Sequence, residues 1–338
     1  MSHPIAWEKL GFAYLPTHCH VQYTWRDGQW DAGQLVADPH LTLHIAATAL
    51  HYGQAAFEGL KAFHCQDGKV RLFRPGMNAR RLNLAARRVC MAEVPESLFL
   101  AAVQRVVAAN RDFVPPYGTG GSLYVRPLLI GSGAQIGVSP AKEYTFLVLV
   151  TPVGAYYKGG LKPVRAIVLD DYDRAAPLGT GAVKVAANYA ASLEPHLQAH
   201  TLGFAVELYL DARGHEYIEE FGTSNFIAIT RDGTYVTPQS SSILASVTND
   251  SLQQIARDFG IPVEVRPIRF AEIGSFAEVA ACGTAVVITP VNEIVRGGKA
   301  YRVGPAEGCG PVLEKLYQRM TGIQVGECPD THGWCVET

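Results

Sequence analysis

The amino-acid sequence predicts a mixed α/β (α+β) protein built from two domains. The chain has 338 residues, enough for two domains of about 150 residues that each bury a core. Hairpin and helix patterns alternate in both halves, and a glycine- and proline-bearing stretch without periodicity, residues 156–163, separates them. We therefore expect an N-terminal domain over residues 1–153, a connection over 154–164 and a C-terminal domain over 165–338.

The first half reads as a hairpin followed by helices and strands. Residues 59–65 and 69–73 are predicted to pair around Asp67-Gly68, because Asp-Gly favours the positive backbone angles of a tight turn. Apolar residues at helical spacing predict helices over residues 77–91 and 97–113, each ending before a proline. Two apolar runs, residues 122–130 and 143–150, predict strands.

The second half begins with a predicted strand over residues 164–169 and a glycine-rich loop over 177–181. A helix is expected over residues 186–200, and turns around 211–214 and 231–233 indicate further hairpins. The clearest pattern predicts a helix over 247–259, where Ser246 suits the N-cap and Gly260 and Pro262 stop the helix.

Charge and composition exclude several classes of protein. The formal net charge is −2 and 18 % of residues are charged, so no basic surface for nucleic acid is expected. No uninterrupted apolar run, such as residues 98–103 or 146–150, approaches the roughly 20 residues that a membrane span needs. The first residues lack the basic start and apolar stretch of a signal peptide. We expect a cytoplasmic protein.

The cysteines do not form a recognisable framework. Seven are present and none belongs to a Cys-x-x-Cys pair. Cys328 and Cys335 lie near enough in sequence to pair, but two reduced thiols are the simpler expectation. The run His18-Cys19-His20 has no fourth ligand at the spacing of a structural zinc site, so we expect no metal.

Two of the nine lysines, Lys61 and Lys184, lie in apolar surroundings. Around Lys184 the residues are small and apolar, and the nearest acidic residue along the chain is Glu194. Burial there favours the free amine, which forms Schiff bases and moves protons. The alternative is a lysine that extends its charged end into solvent at a helix start.

Several anion-binding features are weaker signals. The start of the helix over 247–259, with Ser246 and Thr248, offers unpaired backbone N–H groups suited to phosphate, although every helix has such an end. Thr284 and Ala285 follow Gly283 in a small-residue turn that a strand bulge would also explain. Arg126 lies in an apolar strand and is suited to a carboxylate or phosphate.

Charged pairs leave two interpretations open. Glu219 and Glu220 precede a turn between apolar strands, so one carboxylate should face inward and need a cation such as a protonated ring nitrogen. The alternative is that both carboxylates are solvated at the end of a strand. Arg81 lies beside apolar helix positions and could bind an anion, or it could belong to a solvated stripe with its arginine neighbours.

Seven segments in this order resemble the branched-chain amino acid aminotransferases, members of the class IV pyridoxal-phosphate-dependent family. They are residues 52–63 (YGQAAFEGLKAF), 71–75 (RLFRP), 122–127 (SLYVRP), 184–189 (KVAANY), 219–225 (EEFGTSN), 243–248 (ILASVT) and 281–285 (ACGTA). The resemblance covers roughly residues 10–320. It implies a fold type IV enzyme with a smaller N-terminal domain and a larger domain that binds pyridoxal 5'-phosphate, working as a homodimer.

The resemblance also implies a role for each matching residue. Lys184 holds the cofactor covalently as a Schiff base and is the catalytic residue. Six positions match cofactor-binding residues: Glu220 at the ring nitrogen, Tyr189 at the phenolic oxygen, and Arg81, the Val247 and Thr248 backbone, and Thr284 at the phosphate. Tyr124, Arg126 and the Thr284-Ala285 amides match residues that bind the substrate carboxylates. The residues that match the apolar pocket are Tyr52, Phe57 and Tyr156. Ile136 and Val138 match a loop that reaches the neighbouring subunit's site.

The implied reaction transfers an amino group reversibly between L-leucine, isoleucine or valine and 2-oxoglutarate. Another class IV reaction, on D-amino acids, amines or aminodeoxychorismate, is the alternative, and a non-catalytic relative is a second one. The chain departs from the family at Ala245-Ser246 and Asn249, where Pro-Gly and Arg are common, which puts cofactor affinity or substrate range in question. Only Arg81 and Arg126 of the 20 arginines receive a role, and the other eighteen are expected to be ordinary surface residues.

Overall fold

The computed structural model describes residues 5–154 and 161–338. It confirms a mixed α/β protein, in which helices and sheets are both present. The chain divides into two compact units. The first unit comprises residues 1–156, 184–187 and 322–338, and the second comprises residues 157–183 and 188–321. No helix of the described residues is long and apolar enough to cross a membrane.

The first unit contains a nine-stranded antiparallel sheet. The strands are β1 (His20–Arg26), β2 (Gln29–Trp30), β3 (Gln34–Val36), β4 (Ala55–Phe57), β5 (Leu60–His64), β6 (Val70–Phe73), β7 (Ser122–Gly131), β8 (Tyr144–Val153) and β18 (Cys335–Glu337). Their central order is β18-β6-β5-β7-β8-β1-β2, while β3 pairs with β1 and β4 with β7. The predicted hairpin of β5 and β6 is therefore confirmed, and the C-terminal strand β18 extends it.

Three helices accompany this sheet: α1 (Thr48–Tyr52), α2 (Pro75–Arg88) and α3 (Glu96–Ala109). Helix α2 starts two residues before the predicted position because Pro75 occupies its first turn, where the missing N–H costs nothing. Helix α3 packs its apolar face on the sheet, and the rings of Phe99 and Phe146 stack with centroids 6.0 Å apart. The predicted last turn of this helix is instead a short 3-10 helix, Arg111–Phe113.

The second unit contains a sheet that closes on itself. The strands are β9 (Val164–Val168), β10 (Val206–Leu210), β11 (Ile218–Phe221), β12 (Ser224–Thr230), β13 (Tyr235–Pro238), β14 (Val263–Arg266), β15 (Phe276–Gly283), β16 (Val287–Arg296) and β17 (Lys299–Arg302). Their order is β11-β10-β9-β16-β15-β12-β13-β14, with β17 on β16, and β11 also pairs with β12. Six of the strands therefore form a ring around an apolar core that includes Phe221 and Phe226.

The remaining helices are α4 (Ala186–Ala191), α5 (Leu193–Thr201), α6 (Val247–Asp258) and α7 (Pro311–Gln324). The prediction of one continuous helix over residues 186–200 is wrong, because the helix breaks at Ser192. Pro195 has no N–H to continue the ladder, and the Ser192 hydroxyl donates to the Tyr189 carbonyl at 2.9 Å. The prediction for α6 holds within one residue, and the Ser246 side chain is its N-cap.

Candidate active site

Lys184 is held by the first unit through its backbone. Its carbonyl oxygen accepts a hydrogen bond from the Phe57 N–H at 3.1 Å, and the next residue, Val185, forms an antiparallel bridge with Ala56. The Lys184 Nζ lies 4.6 Å from the centroid of the Phe57 ring. The amine is therefore directed over an aromatic surface at the end of β4, and Lys184 as a whole is partly buried.

The loop that carries Lys184 is closed by one side chain. The Asn188 amide nitrogen donates to the carbonyl oxygens of Thr180 at 2.8 Å and Val183 at 2.9 Å, and its amide oxygen accepts from the Thr180 hydroxyl at 2.6 Å. These three bonds connect the residues on both sides of Lys184. Asn188 therefore restricts the conformation of the loop.

A cation and a phenol lie next to each other on β7. The Arg126 Nη2 donates to the Tyr124 hydroxyl at 3.0 Å, and the guanidinium lies 4.8 Å from the centroid of the Phe57 ring. Arg126 Nε is buried and has no hydrogen-bond partner among the described residues. Burying a polar N–H without a partner is costly, so this orphan donor indicates a missing acceptor such as a carboxylate.

Lys61 is the direct neighbour of Tyr124 across the β5–β7 pairing, so both side chains lie on the same face of the sheet. Burial lowers the pKa of Lys61 from 10.5 to about 8. The sheet face that carries the Tyr124 phenol and the Arg126 guanidinium therefore also carries the Lys61 amine, which changes charge near pH 8.

Arg81 is buried on α2, so the alternative of a solvated arginine stripe is wrong for this residue. Its Nε and Nη2 donate to the two carboxylate oxygens of Glu58 at 2.7 and 2.8 Å. Glu58 has no exposed surface and also accepts from the Asn78 amide at 2.8 Å. The guanidinium is thus held in one orientation, and a role at a phosphate stays a prediction.

In the second unit, Glu219 and Glu220 are both buried, each only 3 % exposed, so the solvated alternative is wrong. The Glu220 Oε1 accepts from the Leu244 N–H at 3.1 Å and forms an ion pair with Arg174 Nη1 at 2.8 Å. Its Oε2 accepts from the Asn225 amide at 3.2 Å. The side chain of Glu220 is therefore fixed at both oxygens.

The expectation that all arginines other than Arg81 and Arg126 are surface residues is wrong for Arg174. Its side chain is only 7 % exposed, and Nη1 also donates to the Ser242 carbonyl at 2.9 Å. Arg174 follows Asp170, Asp171 and Asp173, and this charged local sequence is typical of a solvated loop. Its partner Glu220 is 46 positions away, which no local pattern reveals.

The start of α6 is formed by Ser246, whose Oγ accepts from the Asn249 N–H at 3.1 Å. Val247 and Thr248 follow and are buried. Asn249, which replaces the arginine common in the family, turns into the core. Its amide donates to the Thr237 hydroxyl at 2.8 Å and accepts from the Tyr235 hydroxyl at 2.7 Å. The departure therefore attaches the first turn of the helix to β13.

Two further predicted residues lie in turns, and one lies on a helix. Thr284 and Ala285 lie in the turn between β15 and β16, which pairs Gly283 with Val287. Tyr189 lies on α4 and is partly buried. Their predicted contacts with cofactor and substrate stay predictions.

Comparison with known proteins decides the family. The family model described as amino-transferase class IV matches residues 55–294, well over half of the chain. This chain is a class IV aminotransferase.

Individual relatives agree with this assignment. The chain is 48 % identical over 337 residues to the branched-chain-amino-acid aminotransferase of Haemophilus influenzae, covering 98 % of each chain. The crystal structure of the Escherichia coli branched-chain amino acid aminotransferase is similar with a TM-score of 0.78 and 28 % identity, covering 93 % of this chain and 98 % of that one. The structure of a T.th. branched-chain amino acid aminotransferase with pyridoxamine 5'-phosphate matches with a TM-score of 0.78 and 25 % identity, covering 93 % of this chain and 97 % of that one.

In this class IV aminotransferase the loop of Ile136 and Val138 is exposed, and Val138 is 89 % exposed. The Tyr52 hydroxyl donates to the Ile136 carbonyl, which connects a predicted pocket residue to this loop within the first unit. Tyr156 lies outside the described residues. No group of three metal-ligating side chains occurs within residues 5–154 and 161–338.

Three residues of this aminotransferase were missed from the sequence: Glu58, Asn188 and Arg174. Glu58 and Asn188 stand inside quoted motifs, and their polar side chains among apolar neighbours were a usable signal. Arg174 offered no such signal.

Proposed function

We propose that this aminotransferase moves an amino group between a branched-chain L-amino acid and 2-oxoglutarate, with pyridoxal 5'-phosphate as its cofactor. The observation that carries the substrate choice is Arg126, whose guanidinium lies over the Phe57 ring and leaves a buried Nε without a partner among the described residues. In such a site the guanidinium binds the side-chain carboxylate of one substrate, and the apolar wall contacts the aliphatic side chain of the other. Near-identical length and 48 % identity with the Haemophilus influenzae aminotransferase support the same reaction.

The donor groups of the two units fit pyridoxal phosphate. In the second unit, the buried carboxylate of Glu220 suits a protonated ring nitrogen, and the capped start of α6 with Thr248 suits a phosphate. Thr284, Arg81 and Tyr189 are proposed to complete the phosphate and phenolic-oxygen contacts. In the first unit, Lys184 supplies the amine that attaches the cofactor.

The bound cofactor supplies an electron sink for the negative charge that develops at the amino acid Cα. We propose that the free amine of Lys184 removes the proton from Cα of the donor amino acid. In the reverse half-reaction the same group returns a proton to Cα of the product amino acid. Glu220 keeps the ring nitrogen protonated. Tyr124 and the Thr284-Ala285 amides orient the substrate α-carboxylate, while Tyr52, Phe57 and Tyr156 surround its side chain.

We further propose a homodimer in the cytoplasm. The exposed apolar side chains of Ile136 and Val138 support a second copy of the chain as their cover. All seven cysteines are free thiols, which agrees with a reducing compartment. Sedimentation or size-exclusion with light scattering measures the mass, and a monomer that transfers amino groups at full rate would contradict the dimer.

The central test combines absorbance, labelling and turnover. The purified protein should show an absorbance band near the edge of the visible range, and borohydride should leave the cofactor attached to the peptide that contains Lys184. Lys184→Ala should abolish transfer from leucine to 2-oxoglutarate, whereas the exposed Lys142→Ala control should retain it. A colourless protein without this transfer refutes the proposed function, and activity only on D-alanine or simple amines refutes the substrate class.

The role of Arg126 has its own signature. Removing a charge-assisted hydrogen bond of about 1.5–3 kcal/mol should raise KM for 2-oxoglutarate about 10- to 100-fold in Arg126→Gln. KM for leucine should change much less, because its side chain makes no use of the cation. Equal losses for both substrates would contradict the proposed division of roles.

A further inference from the structure

Arg174 is a buried cation that the reaction described above does not use. Its Nη1 reaches three acceptors: Glu220 Oε1 at 2.8 Å, the Ser242 carbonyl at 2.9 Å and the Gly181 carbonyl at 3.2 Å. Side chains of arginine and glutamate are both almost fully buried here, with 7 and 4 % exposure. In such surroundings an ion pair is weakly screened, and each partner depends on the other for its charge.

The backbone contacts of Arg174 determine what it holds in place. Ser242 lies two residues before Leu244, whose N–H donates to the same Glu220 Oε1 at 3.1 Å. The Arg174 guanidinium therefore binds both the Glu220 carboxylate and, at Ser242, the segment whose Leu244 N–H is another donor to that carboxylate. That segment continues into Ser246, the N-cap of α6.

A second buried carboxylate shares this positive charge. Glu219 accepts from the Ser240 hydroxyl at 2.8 Å, and burial raises its pKa while the charge of Arg174 acts in the opposite direction. On the other side, Cys282 lies opposite Asn225 in β15, and burial followed by the Glu220 charge raises the pKa of its thiol. The charge of Glu220 thus acts on the Cys282 thiol, the charge of Arg174 acts on Glu219, and Arg174 and Glu220 are directly paired.

We propose that Arg174 is a positioning residue that fixes Glu220 Oε1 and keeps the Glu220 carboxylate ionised for its partnership with the cofactor ring nitrogen. This inference rests on the proposed function. Without the guanidinium, a buried carboxylate tends to bind a proton itself, and it then no longer stabilises a proton on the ring. Loss of Arg174 should therefore affect the step at Cα more than the capture of substrate.

The test compares reconstituted wild-type protein with Arg174→Met, Arg174→Lys and the surface control Arg165→Met, whose exposed ion pair joins Glu293. We expect kcat for leucine to fall about 10-fold or more in Arg174→Met, with KM within about 3-fold. The pH titration of the absorbance of the bound cofactor should shift in Arg174→Met, and Arg174→Lys should recover part of both changes. A lower melting temperature with unchanged kcat and an unchanged absorbance titration overturns the proposal.

A second comparison covers the case in which Arg174→Met does not fold. Arg174→Met/Glu220→Gln removes both members of the ion pair, and it is compared with Glu220→Gln alone. If Arg174 acts through Glu220, adding Arg174→Met should lower kcat by no more than about 3-fold; a further loss of about 10-fold or more means an independent role and overturns the proposal. If wild-type and Arg165→Met proteins bind no cofactor and transfer nothing, the proposed function fails instead.

Discussion

The buried ion pair of Arg81 and Glu58 predicts a large and specific loss of stability. In Glu58→Gln the shape of the side chain is kept, but the charge opposite the buried guanidinium is lost. The two Arg81 bonds of 2.7 and 2.8 Å join charged groups, and breaking a buried pair by removing one partner costs about 3–5 kcal/mol. At about 2–4 °C per kcal/mol for a domain of 150–250 residues, the first unit should melt about 6–20 °C lower.

The measurement can be confined to the first unit because all four tryptophans lie there, at positions 7, 25, 30 and 334. Urea unfolding of the cofactor-free protein is therefore followed by tryptophan fluorescence. The matched control is Glu58→Leu/Arg81→Met, which removes both charges and should recover most of the loss, since apolar replacement of a whole buried pair is often neutral. Asn78 keeps a partner in that control, the Gly59 carbonyl at 3.2 Å. A single variant within about 1 kcal/mol of wild type, or a double variant as unstable as the single one, would refute the reasoning.

Three further predictions concern stability and reactivity. Burial lowers the pKa of Lys61 from 10.5 to about 8, so between these pH values the folded chain binds fewer protons than the unfolded chain. The free energy of unfolding of the wild-type protein should therefore rise with pH across that window relative to Lys61→Met. Urea midpoints of the two proteins that run parallel from about pH 7.5 to 10 would contradict this. Asn249→Ala leaves the buried Tyr235 hydroxyl without its acceptor and should cost about 1–3 kcal/mol by calorimetry, whereas an unchanged transition would show that the bond contributes nothing. In the native protein N-ethylmaleimide should modify the exposed Cys90 and spare Cys282, whose thiol pKa is raised by burial; equal labelling by mass spectrometry would exclude a buried thiol there.

Elements with signals inside their own sequence were predictable. Helix α6 has its cap at Ser246, its stop at Gly260 and its apolar stripe between them, and the structure places it within one residue of the prediction. The β5–β6 hairpin is encoded by Asp67-Gly68 in the same way. The break at Ser192 also has a local cause, Pro195 in the interior of the predicted helix, so local sequence and not tertiary context accounts for it.

Features that depend on distant partners were not predictable from one sequence. The burial of Arg174 follows from Glu220, 46 residues later, while its neighbours are aspartates that favour solvent. The orientation of Asn249 follows from Tyr235 and Thr237 on another element. The residue types of the site could be proposed from motifs, but which charges face each other was determined by strand pairing.

Strand β18 has a consequence for how the protein folds as it is synthesised. Residues 335–337 pair with β6 at residues 71–73, so the edge of the first sheet is completed by a segment about 260 positions further along the chain. Residues 188–321, which belong to the second unit, leave the ribosome before this pairing can form. Until then β6 is an open sheet edge, able to pair with another nascent chain. The N-terminal unit, although translated first, is therefore the later of the two to obtain its full set of strands.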